Sequence, residues 1–396
     1  MAFQHAYIPF THLWTTPFTK WQGPLAEVNA LDLAVDTTGR ALAARDSAPE
    51  MFTHWALGMT VIQQGAFYGV TSISRRLGAG ASAGPWISRA CATTAAVVDH
   101  LAAQVELGRH QATIGILTDR TSNSPLTVYP SQQTPAASPH VEHWELDPMS
   151  NDPTTGQGMI DTAENVARDA GFTREQADDL TTLRHEQYQR ALANDRAFQR
   201  RYMVEAHVPR RRGPATVVDA DTGVFDTTRE GLSALRTVKD DGIITFGSQT
   251  HPADGSAGIV VSDRASALRL GGPVTVQILG TGFARAEPAF MPKAPVGAAY
   301  RALADAGIEL RDVDLVTTHN PFAVNDLWFA RETGFDLERM NVYGSSLIYG
   351  HPQAPTGARA IAELVHALEE RGGGYGLFTG CAAGDDAGAI VVRVDG

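Results

Sequence analysis

The chain has 396 residues, 43% of them hydrophobic, which is enough apolar material for a large core and two or more lobes. A net charge of -12 and the lack of a long basic cluster argue against nucleic acid and anionic membranes as partners. Two cysteines argue against a disulfide scaffold and favour a cytoplasmic location, and we expect neither a signal peptide nor a membrane span.

The first part of the chain alternates short strands with helices. Extended chain is predicted at Ala6 to Phe10, helices over Asn29 to Ala44 and Gln63 to Leu77, and a strand within Phe52 to Val61. The loop after the second helix matches the nucleophile-elbow pattern G-x-S-x-G at Ser82. Since that motif requires a buried strand before it, and none is predicted there, we do not expect Ser82 to be a nucleophile.

Cys91 lies where the pattern changes from strand to helix. Trp86 to Ala90 is predicted to be extended, the helical period begins at Ala92, and Gly108 is a good C-terminal stop. Unpaired N–H groups and the helix dipole favour a thiolate at such an N-terminus, and the same groups can stabilise an oxyanion. The local pattern is compatible both with a nucleophile and with a small buried core residue.

A polar segment follows the buried strand predicted at Ala112 to Leu117. Residues 119–157 are rich in Thr, Ser, Pro, Asn and Gln and are interpreted as a long loop or an inserted subdomain. Within it His140 and His143 are three residues apart, but no further ligand cluster accompanies them. We therefore predict no metal site.

Residues 160–245 are predicted to form a lid, with helices over most of Asp161 to Asn194. The rest of the chain again alternates strands and helices. Strands are predicted at Gly242 to Phe246, Gly258 to Val261, Val274 to Gly282, Val313 to Val316, Tyr375 to Phe378 and Ala389 to Val392. Helices are predicted at Ala294 to Ala306 and Gly357 to Glu370. Cys381 is predicted to lie in the Gly-rich turn of a terminal hairpin. Such alternation predicts an α/β fold with helices on the faces of sheets.

Five blocks in order resemble the thiolase family, and the resemblance covers nearly the whole chain. They are the Cys91-Ala-Thr-Thr nucleophile block, Thr162 to Glu175 of the loop domain, the small-residue loop Phe246 to Gly255, Gly350-His351-Pro352 with Thr356-Gly-Ala-Arg359, and Cys381. The usual Asn-Glu-Ala-Phe block reads His319-Asn-Pro-Phe322, which is closer to sterol-carrier-protein-linked thiolases. Gln353 to Pro355 also departs from the family pattern.

The resemblance implies a thiolase-like fold of two similar αβα halves that form a five-layer αβαβα core. It assigns residues 1–118 and 246–271 to the N-terminal half, 119–245 to an inserted loop or lid domain, and 272–396 to the C-terminal half. It also implies a homodimer or tetramer, with edge strands near the nucleophile block buried between subunits.

The implied reaction is coenzyme A-dependent cleavage of a 3-oxoacyl-CoA, or the reverse Claisen condensation, through an acyl-cysteine. Cys91 would be the nucleophile and His351 its base, Cys381 would transfer the α-proton, and His319 with His351 would stabilise an oxyanion. The residues expected to bind coenzyme A are Met159, Ser248, Thr250 and Ala383. Coenzyme A is a substrate here, and no permanently bound cofactor is expected.

Two alternatives stay open at this point. One is a specialised thiolase for a bulky aromatic or sterol-derived 3-oxoacyl-CoA that works with a zinc-ribbon/OB-fold accessory subunit. The other is a non-catalytic acyl-CoA-binding subunit. The presence of both cysteines and both histidines argues against the second, because pure binding would require none of them.

Overall fold

The computed structural model describes residues 3–131 and 138–396. Its first half alternates short strands with helices. These elements are β1 (Tyr7–Pro9), β2 (Leu13–Thr15), β3 (Thr19–Lys20), α1 (Ala30–Ala43), β4 (His54–Gly58), α2 (Val70–Arg76), β5 (Trp86–Ile87), α3 (Thr93–Glu106) and β6 (Ala112–Arg120).

A long excursion follows β6 before the chain returns to the sheet. It contains β7 (Leu126–Tyr129), β8 (His140–His143), α4 (Leu146–Ser150), α5 (Met159–Ala170), α6 (Arg174–Arg196), β9 (Ala206–Val208), β10 (Thr216–Val218) and α7 (Arg229–Ser233). A capping box starts α6, where Thr173 accepts from the Gln176 N–H and the Gln176 side chain accepts from the Thr173 N–H. Among the described residues, no helix is both long and apolar enough to cross a bilayer.

The remaining elements return the chain to the first half with β11 and α8 and then form the second half. They are β11 (Ala253–Ser262), α8 (Arg264–Gly271), β12 (Thr275–Arg285), α9 (Ala294–Ala306), β13 (Leu315–His319), α10 (Ala323–Thr333), α11 (Ser346–Tyr349), α12 (Pro355–Glu370), β14 (Gly373–Ala382) and β15 (Asp386–Asp395).

The main sheet consists of two half-sheets joined through β1. The strand order is β13-β14-β15-β12-β1-β11-β6-β4-β5, and β2 and β3 also pair with β11. Strand β1 makes three antiparallel residue pairs with β12 but only one with β11, Tyr7 opposite Ser262. The two half-sheets are therefore linked by a narrow hydrogen-bonded bridge.

Helices α3 and α12 lie between the half-sheets and contact strands of both. The largest apolar cluster is built from these two helices and the strands on either side of them. Helices α1 and α2 cover the outer face of the N-terminal half-sheet, and α9 covers the outer face of the C-terminal one. This succession confirms the predicted αβαβα layering, with the most buried helices at its centre.

Three local predictions are wrong, each for an identifiable reason. The helix predicted over Gln63 to Leu77 is broken by Gly65 and Gly69, both at positive φ, so that only α2 is α-helical. No strand forms at Gly242 to Phe246, because the Glu164 carboxylate accepts the N–H groups of Ile243 and Ile244. Cys381 lies inside β14 and not in the turn, because that strand runs on to Ala382.

The packing of α3 against α12 depends on a glycine. A Cβ at Gly357 would lie 2.7 Å from the Thr94 Cβ and 2.9 Å from the Phe378 ring, whereas a Cβ at Gly39 in α1 would meet only the flexible Leu77 side chain at 3.3 Å. We expect Gly357→Ala to destabilise the protein by about 1–3 kcal/mol through overpacking. The matched change Gly39→Ala should stabilise it by about 0.4–1 kcal/mol. Urea unfolding of the two variants measures the difference, and equal stability would contradict this account of the α3–α12 contact.

Candidate functional site

The turn before α3 brings the Cys91 sulfur to the centre of the molecule. Ala90, the residue before it, has φ +44, a conformation that non-glycine residues adopt rarely. The Thr93 hydroxyl fixes this turn, since it accepts from the Arg89 N–H and donates to the Ala90 carbonyl. Local strain of this kind occurs where the surrounding structure needs a side chain in one place. Cys91 itself is buried, with 8% of its surface exposed.

His351, which precedes α12, contacts the Cys91 thiol. Its Nε2 lies 3.1 Å from the Cys91 sulfur, and its Nδ1 lies 2.7 Å from the Thr356 hydroxyl in the first turn of α12. The Thr356 contact fixes the ring orientation, so that Nε2 faces the thiol. A thiol, an imidazole and a hydroxyl that orients the imidazole are therefore arranged in sequence, which is the arrangement that an activated nucleophile requires.

His319, at the end of β13, stacks on His351 with ring centroids 3.9 Å apart. Its Nδ1 lies 3.0 Å from the Ser346 hydroxyl. Its Nε2 is buried and has no hydrogen-bond partner among the described residues. Since buried polar atoms are nearly always paired, this nitrogen is ready for a ligand atom.

Cys381 lies beside His319, because β13 and β14 are parallel neighbours in which His319 is opposite Gly380. Gly380 permits the approach, since a Cβ there would lie 2.7 Å from the Cβ of His319. The Cys381 sulfur accepts a hydrogen bond of 3.2 Å from the Asn325 amide of α10. Four side chains from separate parts of the sequence thus meet where the two halves join.

Burial sets the protonation of this cluster. It raises the pKa of the Cys91 thiol to about 12, although backbone N–H groups of Ala383 and Cys91 act in the opposite direction. Burial also lowers the pKa of His319 to about 3 and that of His351 well below its usual range. Near neutral pH the resting pair is therefore a thiol beside a neutral imidazole. Desolvation of the sulfur thus acts against the stabilisation of a thiolate that the helix N-terminus favours.

A cavity of about 440 Å³ opens onto Cys91 and His351. Met159 and Thr250, both predicted to bind coenzyme A, line it. The backbone N–H of Ala383, another predicted group, acts on the Cys91 thiol and lowers its pKa. Ser248 does not reach the cavity: its side chain is fully buried, and its hydroxyl accepts from the Thr245 N–H in a turn.

Sequence reasoning missed three partners of these residues, Ser346, Asn325 and Glu145, which lie in or next to helices that carry no reactive motif. The sequence marks Gln353 only as a departure from the family pattern and predicts no contact for it. None of them has a periodic signal, because their roles depend on contacts between distant segments. The Ser82 prediction is consistent with the structure, in which the Ser82 hydroxyl is buried and donates to the Phe52 carbonyl.

The Cys91 sulfur and the imidazoles of His319 and His351 also offer three possible metal-ligand atoms within 4.8 Å of one another. The two rings are stacked at an interplanar angle of 25°, so their lone pairs project side by side and do not converge on a common point. This geometry suits proton transfer and hydrogen bonding to a substrate better than chelation of an ion.

The site can now be compared with known proteins. The family model described as the N-terminal domain of thiolase matches residues 12–265, and that of the C-terminal domain matches 273–394. The 3-ketoacyl-CoA thiolase of Erwinia tasmaniensis is 30% identical, with 98% of this chain and 97% of that protein covered.

Two solved structures share the fold over 99% of each chain. They are the Bacillus anthracis acetyl-CoA acetyltransferase (TM-score 0.90, 25% identity) and human mitochondrial 3-ketoacyl-CoA thiolase in complex with CoA (TM-score 0.89, 24% identity). One assignment follows from the family models over both halves, the full-length relative and the two matching folds. The chain belongs to the thiolase family of acyltransferases.

Proposed function

We propose that this thiolase cleaves 3-oxoacyl-CoA thioesters with coenzyme A, or makes them by the reverse Claisen condensation, through an acyl group on Cys91. The observation that carries the proposal is the 3.1 Å contact between the Cys91 sulfur and His351 Nε2 inside the cavity. The names of the related 3-ketoacyl-CoA thiolase and acetyl-CoA acetyltransferase support the same chemistry.

In the first step the thiol proton turns from Gln353 Oε1 to His351 Nε2, which takes it while the Cys91 sulfur attacks the 3-oxo carbon. The neutral imidazole supports this role, because a base must be unprotonated to accept. The bond between the second and third carbons then breaks, so the acyl group stays on sulfur and acetyl-CoA leaves as a carbanion. In the second step the sulfur of free coenzyme A attacks the thioester and takes the acyl group, while its thiol proton goes to the Cys381 thiolate. The Cys91 sulfur that is released recovers its proton from His351.

The carbanion requires a proton, and Cys381 is the proposed donor. Burial raises the pKa of this thiol well above its usual range, which keeps it protonated between turnovers. The Asn325 amide donates to its sulfur at 3.2 Å, and a bond to the thiolate form would stabilise the anion left after proton transfer.

Two oxyanions develop, and the site contains donors for both. The Ala383 and Cys91 N–H groups act on the Cys91 sulfur, next to the carbonyl oxygen of an acyl group attached there. His319 Nε2 is the proposed donor to the second thioester oxygen, because it is buried and unpaired within the described part of the chain.

Coenzyme A is proposed to reach Cys91 past Thr250 and Met159. A second cavity of about 420 Å³ meets the first at Gln249 and is lined by apolar side chains, among them Phe246 and Leu347. This continuity favours the second cavity for the distal part of coenzyme A. Lys239 at the first cavity is the candidate for its phosphates, although it already pairs with Asp161 at 2.8 Å.

A homodimer is proposed from the surface beside the edge strand β5. Trp86 in that strand is 37% exposed, and nearby Phe67 and Tyr68 are 90% and 74% exposed. An apolar edge of this kind tends to pair with another chain. Four further expectations stay predictions. They are tetramer formation, an accessory subunit, a cytoplasmic location and domain boundaries after residues 118, 245 and 271. The comparisons do not favour the aromatic- or sterol-specific alternative or the non-catalytic one.

The roles of the two cysteines can be separated by experiment. Cys91→Ala should abolish activity, and mass spectrometry of the wild type mixed with acyl-CoA should find the adduct on Cys91. Cys381→Ala should still become acylated on Cys91, but its carbon–carbon cleavage should fall about 10²–10⁴-fold. It should also stop exchanging the α-protons of acetyl-CoA with deuterated water. An adduct on Cys381 alone would reverse the two assignments.

The role of His351 has a pH signature. Because the pKa of Cys91 is raised, its thiolate is scarce at neutral pH and increases as the pH rises. We expect His351→Ala to slow iodoacetamide alkylation of Cys91 about 10²-fold at pH 7 and to make the rate climb roughly tenfold per pH unit. The surface change His110→Ala should leave the rate unaltered. Wild-type kinetics in His351→Ala would exclude it as the base.

The dimer is tested by light scattering during gel filtration. The wild type should elute with twice the chain mass, and Phe67→Glu combined with Trp86→Glu should shift the population toward monomer at the same concentration. Tyr300→Glu changes an exposed aromatic residue elsewhere, 48% exposed, and should have no effect. A monomeric wild type with full activity would contradict the proposal.

A further inference from the structure

Glu145 and Gln353 form a polar wall beside the nucleophile in a cavity that is otherwise mainly apolar on this side. Both are buried, with 8% and 5% of their surfaces exposed, and both line the cavity. Their neighbours there include Leu146 and Met149. Since a buried carboxyl and amide are costly unless they are paired, their position next to the reacting sulfur requires an explanation.

Gln353 is held in one orientation. Its backbone has φ +60, a strained value for a non-glycine residue, just before α12. Its Nε2 donates to Glu145 Oε1 at 3.1 Å, and its Oε1 accepts from the Cys91 thiol at 3.2 Å. The carboxyl of Glu145 thus determines that the oxygen of the amide faces the sulfur.

Glu145, which precedes α4, uses only one of its two carboxyl oxygens in a hydrogen bond within the described residues. Oε1 accepts from Gln353, whereas Oε2 takes no hydrogen bond from the residues that the structure describes. Burial, with nearby Asp119 and Asp254, raises the pKa of Glu145 to about 7. The Glu145 carboxyl therefore faces the cavity as a hydrogen-bonding group, with the acidic side chains of Asp119 and Asp254 nearby.

Acylation changes the requirements of this wall. Once an acyl group occupies the Cys91 sulfur, Gln353 Oε1 loses the thiol proton that it accepted, and Glu145 Oε2 has no donor among the described residues. A plain hydrocarbon chain on this side of the cavity would displace water from these two acceptors without supplying a donor. A hydroxyl group on the chain would supply a donor, whereas a carboxylate would be repelled by Glu145, Asp119 and Asp254.

The lining residues indicate where the acyl group lies. Gln249 lines both this cavity and the second one, through which coenzyme A is proposed to enter. Leu146, Met149 and Ser150, which follow Glu145 in the chain, line the first cavity and not the second. With coenzyme A on the side of the second cavity, the acyl group extends from Cys91 along these residues.

We propose that Glu145, held against Gln353, makes this enzyme selective for 3-oxoacyl-CoA substrates whose acyl chain carries a hydroxyl group. The proposal rests on the proposed thiolase reaction and adds the class of acyl group. Glu145 is in this view a specificity-determining residue, and Gln353 positions both the thiol proton and the carboxyl.

The test compares pairs of 3-oxoacyl-CoA thioesters that differ only in a terminal hydroxyl, over a series of chain lengths. We expect wild-type kcat/KM for thiolysis to favour the hydroxylated member by about 10–100-fold at the length that reaches Glu145. Glu145→Leu should reduce that ratio to within about threefold. Glu145→Gln keeps a carbonyl acceptor and should retain part of it. Glu142→Leu makes the same change on β8 outside the cavity and should leave the ratio unaltered.

The outcomes separate this inference from the proposed reaction. Efficient thiolysis of every pair with equal wild-type rates, or an unchanged ratio in Glu145→Leu, would overturn the selectivity while the thiolase reaction stands. If no 3-oxoacyl-CoA is cleaved and no adduct forms on Cys91, the reaction itself is wrong and the selectivity falls with it. Circular dichroism of each variant verifies that the fold is retained, and the Glu145→Gln ratio decides the matter if Glu145→Leu does not fold.

Discussion

The close contact between α3 and α12 is the constraint on which the site depends. The Thr94 hydroxyl in α3 donates to the Ala354 carbonyl and accepts from the Ala358 N–H at 3.1 Å. Gly357 lets the two helices approach to this distance. Cys91 and His351 stand just before these two helices, so their separation is set by backbone packing at the centre of the molecule and not by flexible side chains.

Buried ion pairs tie the long excursion between β6 and β11 to this centre. Arg359 of α12 pairs with Asp221, which lies in the excursion, and neither side chain is exposed to solvent. Arg184 of α6 pairs in the same way with Asp326 of α10. Such pairs add little net stability, because burying two charges is costly. They favour one arrangement of the segments, because any arrangement that separates the partners leaves a buried charge without compensation. The cavity walls contributed by the excursion are thereby held at a fixed position relative to Cys91.

The sequence predicts the layered fold well, and it also singles out four side chains that the structure brings together, because both leave local or ordered signals. Helices such as α9 follow from apolar periodicity alone, with both ends matching the prediction. The predictions fail where a distant partner decides the outcome. The Glu164 carboxylate accepts the N–H groups that a strand at Gly242 to Phe246 would use. The Ser248 hydroxyl accepts from the Thr245 N–H and so does not line the cavity. Glu145 and Gln353 are far apart in the chain, so only the folded structure reveals their contact.

The narrow bridge made by β1 also has a consequence for biosynthesis. Tyr7–Pro9 lies near the beginning of the chain, yet its three-pair partner β12 is made only after the N-terminal half and the excursion. Cys381 and β15, which pairs with β12, leave the ribosome later still. Because domains fold during synthesis in the order in which they emerge, the first half must hold β1 without its main partner until β12 has been made. A nascent chain that lacks β14 and β15 therefore carries Cys91 but not Cys381, the proposed proton donor, and the proposed site is incomplete until those strands have emerged.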